Sequence, residues 1–462
     1  MPKIQFEDLK DYLQGLAEEG VKNGLDSYPE IEIEVYLAYG YEAEVAIEHG
    51  IPKAKDGASG GVGVRIAQDK NLGFAAASGL SRDVIKSTVD ESYATMRAIS
   101  APDNKFEGFT DPIQKNSKDG IIFKPILDIT SADLIERVNA ITAEAQGIDN
   151  RIVSISGESG VSYGGFSVAN SRDVNVASTM AASYIVIQCI AQEQEKRKLG
   201  FEFDVSRSRE LEWDDLAERA GKHALDLLDT RKLSKSEVLS TVWEPRVGST
   251  FILNSLGSAL NGRQVVEGRS RFADRIGEEI ARPNFGLVDD GQLPEGLNTS
   301  AFDAEGVPRQ ETVLVEKGTL RSFLFDSYYA RIYGTESTGN AKRSGQEPFS
   351  NTPNVGISTL NVPPGTSSVA DAISDIDEGI YIQDYIMGLS HSDPISGDFS
   401  AVSPQSFLIK NGEIAGALEP VTVAGNFYTA LLNFQTICKD ATLTPWNIKI
   451  PTLIIEGLTV SG

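Results

Sequence analysis

Apolar residues recur along the chain at two periods, and the period changes from segment to segment. Over 4–20, Phe6, Leu9, Leu13 and Leu16 return at helical spacing, and Gly20 and Gly24 are expected to stop the helix. The next run, EIEIEVYLA, alternates Ile31, Ile33, Val35 and Leu37 with Glu30, Glu32 and Glu34. That alternation predicts a half-buried strand with an acidic outer face. Further strands are expected at 42–48, 61–66 and 71–77, divided by glycine-containing turns. Ser81 is placed to cap a helix with Val84, Ile85, Thr88, Val89 and Met96 on one face. Another helix opens at Ser131 and carries Leu134, Val138 and Ile141. Pro102, Gly108, Pro112 and Gly120 make 101–128 a long surface connection.

From 151 to 205 the period is that of a β-meander, with NSRD (170–173) as a hairpin loop, and a helix follows over 213–229. The polar stretch 230–236 reads as a domain boundary. Beyond it, Lys317–Gly318 and Asn411–Gly412 each divide two apolar runs and predict hairpins. FYTALLNFQTI (427–437) reads as a buried helix and PTLIIEGLTV as a closing strand. No internal repeat is visible. The expected class is α+β: an N-terminal α/β domain with antiparallel sheet and helices over 1–110, a central helix with β-meander over 111–232, and a β-rich C-terminal domain over 233–462.

Composition narrows the function. With 462 residues the chain is too long for one ordinary core. A net charge of −24, with no basic run, excludes the electrostatic footprint of a nucleic-acid binder. No segment approaches the roughly 18 unbroken apolar residues of a membrane span, and MPKIQFEDLKDYLQGL has no basic-then-apolar leader pattern. Two cysteines, Cys189 and Cys438, allow neither a disulfide framework nor a cysteine-rich zinc site. A reducing cytoplasm is the expected location.

Candidate chemistry is sparse. Gly60, Gly61 and Gly63 precede a strand rather than open a helix, so they read as a tight turn and not a phosphate cradle. His49, before Gly50, and His223, on an amphipathic helix, each read as a surface or capping histidine rather than a ligand. His391 is different, because it lies in a polar, glycine-rich loop with Asp393 and Asp398, where a general base or a metal ligand could sit.

Five strings in the C-terminal half, in order, carry a resemblance. They are FDAEGVPRQETVLVEKGTLRSFLFD (302–326), STGNAKR (337–343), SGDFS (396–400), NGEI (411–414) and VTVAGN (421–426). Together they resemble the PmbA/TldD metallopeptidase family, also labelled modulators of DNA gyrase, and GVGVRI and LGFAAAS resemble its N-terminal domain. The catalytic TldD type carries His-Glu-x-x-x-His on a helix and a later Cys, which together bind zinc. The matching segment here is STFILNSLGSALNG (249–262). Leu253 and Ser258 stand at the two histidine positions and Asn254 at the glutamate position. None can bind zinc well or act as a base near neutral pH. Cys438 falls too early for the third ligand, and only 441–450 remains before the final Pro-Thr-Leu strand.

The resemblance therefore implies a TldE/PmbA-type subunit with no catalytic residue and no metal of its own. Zinc is expected only in a TldD-type partner, unless the chain pairs with itself. Unfolded peptides are the implied substrates, with His391, Asp393, Asp398, Ser400, Asn340 and Asn426 as candidates for lining their path. Two other readings compete: a distinct hydrolase using His391, Asp393 and Asp398, and a homo-oligomeric peptide-binding scaffold.

Overall fold

The alternation at 31–37 opens the first strand of a long antiparallel sheet. The computed structural model describes residues 1, 3–48, 51–99 and 101–462, so the reading of His49 lies outside the described residues. The first half runs α1 (Phe6–Ser27), β1 (Glu32–Glu48), β2 (Ile51–Gln68), β3 (Asn71–Ser78), α2 (Arg82–Ala98), α3 (Ser131–Gln146), β4 (Ile152–Asn170), β5 (Asn175–Glu193), β6 (Lys196–Ser206) and α4 (Leu216–Asp226). The strands form one sheet in the order β3-β2-β1-β4-β5-β6. All four helices pack on one face. Ile33, Val35 and Leu37 of β1 meet Leu9, Leu13, Ile85, Val89, Leu134 and Val138 there, and α4 covers Ile185 and Ile187 of β5.

This half is an internal repeat that the sequence did not reveal. The order helix, three strands, helix occurs twice, and the first strands of the two units, β1 and β4, pair antiparallel at the centre through Tyr41↔Tyr163 and Gly40↔Gly164. A matched pair of glycines marks the correspondence. A Cβ on Gly73 of β3 would lie 2.1 Å from the Ser92 carbonyl of α2, and one on Gly200 of β6 would lie 2.1 Å from the Ala220 carbonyl of α4. Each unit thus presses its last helix onto its last strand at a place only glycine fits.

Several expectations are corrected by the same packing. Residues 42–48 continue β1 rather than forming a separate strand. Gly20 and Gly24 do not stop α1, because they are its contact points: a Cβ at Gly24 would lie 2.5 Å from Ile33 Cδ1. Nor is the even-numbered face of β1 a solvated acidic one. Tyr36, Ala38, Phe166 and Val168 on that face pack against Ala304, Ala341 and Phe349 of the second half. Glu34 is buried in the joint. Arg65 donates to both its oxygens, at 2.8 and 2.6 Å, and Arg343 donates at 2.7 Å. Arg65 also reaches Glu305 at 3.2 Å. Burial pulls the Arg343 guanidinium down to about 10, against the opposing charge of Glu34.

The second half is built on a nine-stranded mixed sheet, which Thr230–Arg231 of the boundary segment joins through 417–418. Both hairpins form as the turns predict, with Lys317–Gly318 and Asn411–Gly412 at positive φ. The expected helix at 427–437 is half right: Phe427–Leu432 is helical, and Phe434–Ile437 is a strand paired with 453–455. The parallel pair 240–243 with 379–382 runs through the sheet. Strand 237–243 leads directly into α5 (Pro245–Ile252). Phe251 of this helix holds the core, edge-on to Trp243 and Phe427 at 5.3 Å each.

Candidate functional site

The helix carrying the degenerate motif has an unusual end. α5 passes into a π-helical turn over Leu253–Gly257. In an ordinary α-helix, residues five apart stand about 140° around the axis. A π turn hydrogen-bonds i to i+5 and brings such residues towards one face, and π turns collect at functional sites. Leu253 and Ser258 are five apart. Leu253 is half-buried against the main core. Asn254 spends its amide on the chain itself, with Nδ2 donating to the Thr250 carbonyl at 2.7 Å. Ser258 is half-buried, and its hydroxyl has no hydrogen bond among the described residues. Cys438 is remote from this turn. It packs with Val242 and Ile454, while the neighbouring Trp243 and Ile455 point to the α5 side, so the sheet stands between them. Burial, then the Asp440 charge, pushes the Cys438 thiol up to about 11.

The 391 loop is built from Asx turns rather than catalytic pairs. His391 ends a short 3-10 turn, and its exposed ring has no side-chain bond among the described residues. Asp393 accepts from the Ile395 and Ser396 amides at 2.7 and 3.3 Å. Asp398 accepts from Asn426 Nδ2 at 2.8 Å, and Asn426 Oδ1 caps the helix at 427 by accepting from Tyr428 N at 3.1 Å. Asp393, Asp398 and Ser400 are exposed and Asn426 half-buried, so the four can border a surface. Asn340 cannot. It is 1% exposed, donates to Asp289 Oδ2 at 2.5 Å and to the Gly356 carbonyl at 3.0 Å, and accepts from Thr338 at 2.7 Å. Its place is inside the fold, and its assignment to a substrate path is corrected on that ground.

A cavity of about 470 Å³ opens between the halves beside the Glu34 cluster. Arg65, Glu305, Asp326, Tyr328 and Arg263 line it. Asp326 caps the helix Ser327–Tyr333, accepting from Tyr329 N at 2.8 Å. Burial, then the neighbouring Glu305 charge, raises its carboxyl well above the usual range.

A second joint between the halves holds a cluster that sequence reading missed. His223 of α4 lies with Nδ1 3.2 Å from Asp384 Oδ2 and 3.5 Å from Glu202 Oε1. Arg246, in the first turn of α5, donates to Glu202 at 2.9 Å and stands 3.4 Å from both Asp384 and Glu244. Burial lifts the Glu244 carboxyl to about 7, with Arg246 pulling against it. For His223, burial works downward, but the contact and charge of Asp384 and the charge of Glu202 outweigh it and the net shift is upward. His223 is therefore no surface or capping histidine. Residues 202, 223 and 384 share no local pattern, and only the docking of β6 and α4 onto the second half unites them.

Comparison with known proteins places this geometry. Models of the PmbA/TldA metallopeptidase family match in three blocks: domain 1 over 33–95, the central domain over 124–228 and the C-terminal domain over 236–462. The chain belongs to the PmbA/TldD metallopeptidase family. A metalloprotease TldD homolog of Buchnera aphidicola is 27% identical, with 87% of this chain and 86% of that protein covered. A metalloprotease PmbA homolog of Haemophilus influenzae is 24% identical over 100% and 97%. The crystal structure of TldE from Thermococcus kodakarensis superposes with a TM-score of 0.88 at 25% identity, covering 97% and 100%.

PmbA/TldD metallopeptidases imply zinc on the motif helix. The residues present do not fit it: an apolar side chain in the core, an amide tied to its own helix and a neutral hydroxyl offer no ligand set. The π turn over 253–257 brings residues five apart towards one face, and Leu253 and Ser258 at that spacing supply no good zinc ligand.

Proposed function

We propose that this chain is the non-catalytic, TldE/PmbA-type partner of a TldD-type zinc peptidase, and that it completes the chamber in which unfolded peptides are cut. The observation that carries this reading is the π turn at 253–257. It has the helix distortion that a ligand pair five apart requires, with Leu253, Asn254 and Ser258 in place of ligands and base. Likeness to TldE in fold and to TldD and PmbA homologs in sequence supports it. So does the 391 loop, where the rival hydrolase finds its aspartates engaged in turns and no base aligned on a nucleophile.

The test is reconstitution. The purified chain and a TldD-type subunit from the same cell are assayed separately and together on an unfolded peptide. The chain alone is expected to be inert, and cleavage that chelators abolish is expected only with the TldD-type subunit present. Metal-dependent cleavage by the chain alone, lost in His391→Ala, would establish the hydrolase instead.

A further inference from the structure

We propose that Glu202, His223 and Asp384 form a binding site for one first-row divalent cation, of the Zn²⁺ or Mn²⁺ type, which ties the two halves of the chain together. Its three ligands lie outside the motif helix, whose first turn touches them only through Arg246, and the proposal does not depend on the chain's role in peptide cleavage.

The donor geometry is the first ground. One ligand atom from each of the three residues lies within 4.8 Å of the other two. The imidazole Nδ1 stands 3.2 Å from the Asp384 oxygen and 3.5 Å from the Glu202 oxygen. Ligands bound at about 2.0–2.1 Å on tetrahedral angles stand about 3.3 Å from one another. The two distances from the imidazole nitrogen match that spacing.

The second ground is unmet bonding. The Asp384 side chain is 0% exposed, yet neither of its oxygens takes an aligned hydrogen bond, and nor does buried His223 Nδ1. Buried carboxylate oxygens are seldom left so. Charge points the same way: three buried carboxylates, Glu202, Glu244 and Asp384, face the guanidinium of Arg246, with the half-exposed Arg219 reaching only Glu202 at 3.9 Å.

The third ground is the surrounding support. Ligating histidines hold their ring by a bond at the other nitrogen, and ligating carboxylates are held in turn. Here the Gln383 side-chain amide lies 2.7 Å from His223 Nε2; ligation through Nδ1 requires that amide turned so that its oxygen accepts from Nε2–H. Glu244 accepts from the Asp384 backbone N–H at 2.6 Å and fixes that residue in its left-handed conformation, φ 63°. One imidazole with two carboxylates and no thiolate suits Zn²⁺ or Mn²⁺ rather than a soft cuprous ion. Glu202 and His223 come from the first half and Asp384 from the second, so a bound ion is a cross-link that unfolding must break.

The experiment uses the full chain, stripped with EDTA and dialysed against Zn²⁺ or Mn²⁺. One ion per chain is expected, with a Kd of about 10 µM or tighter, and a Tm that rises with ion concentration. His223→Gln and Asp384→Asn are each expected to weaken binding at least about tenfold and to abolish the Tm rise. Pulsed EPR of the Mn²⁺-loaded wild type should show coupling to one imidazole nitrogen, a readout that needs no variant to fold. An unchanged Tm with no ion retained by the wild type would reduce the cluster to an ion-pair clamp closed by Arg246. Retention undiminished in both variants, or Mn²⁺ without nitrogen coupling, would overturn the assignment as well.

Discussion

At the scale of single residues, the proposed loss of a zinc site at Leu253, Asn254 and Ser258 can be tested by putting ligands back. Leu253→His, Asn254→Glu and Ser258→His together would return two nitrogens and a base to a turn already distorted to accept them. The third ligand would still be missing, because Cys438 lies across the sheet. Leu253 also packs on the core, so its loss is expected to cost about 1–3 kcal/mol. The expected outcome is weak zinc uptake by elemental analysis, a lower unfolding midpoint and no peptide cleavage; efficient zinc-dependent cleavage by the triple variant alone would contradict this account. Asp326 offers a pH test. Its folded carboxyl is raised by burial and by Glu305, so the native state holds the proton more tightly than the unfolded chain. Stability from this group is complete below the unfolded value of about 4 and is lost as pH rises towards the raised folded value. Asp326→Asn keeps a side chain able to cap the helix at 327. Denaturant titrations across pH 4–8 are expected to show a shallower decline for the variant than for the wild type.

At the scale of elements, the repeat in the first half makes a paired prediction. Gly73 and Gly200 sit where the closing helix of each unit touches its last strand, with backbone rather than a movable side chain in the way. Gly73→Ala and Gly200→Ala are each expected to destabilise by about 1–3 kcal/mol or more, since the helix must lift off the sheet. Gly40, on the central strand, has nothing within 4 Å of an added Cβ. Gly40→Ala is therefore expected to leave the melting temperature unchanged or slightly higher. Equal losses at all three positions would show that strand propensity, not the helix contact, sets the cost. The elements themselves were largely legible. The capping residues Ser81 and the 317–318 and 411–412 turns form as their local chemistry requires. The misreadings at Gly20, Gly24 and 427–437 share a cause: a glycine or an apolar run carries one local meaning and another once a neighbouring strand lies against it.

At the scale of the whole molecule, the joint around Glu34 binds the halves with charge taken out of water. Removing one partner of such a cluster leaves the others buried and uncompensated, which costs about 3–5 kcal/mol. Glu34→Ala strands Arg343 and leaves Arg65 with Glu305 alone, and is expected to lower stability by that order, with little dependence on salt. Arg82→Ala, which breaks an exposed pair with Glu19, is expected to change nothing measurable. Chemical denaturation of the two variants in low and high salt checks both. A Glu34 variant as stable as the wild type would mean that the apolar contacts of Phe349 and Ala341 hold the joint alone.

The sequence by itself determined the periods, the turns and the family, because these live in residues close along the chain or in strings kept in order. It also set the expectation that helix 249–262 holds no zinc ligands, since the residues at 253, 254 and 258 are legible without coordinates. Tertiary structure alone decided the rest. Glu34 read as one of three solvated glutamates until the second half covered it. His223 read as a surface histidine until Asp384, 161 residues later, arrived beside it. The π turn followed no local rule. Periodicity reports which face of an element is apolar; it carries no information on what covers the other face, and both buried charge clusters lie where that second covering occurs.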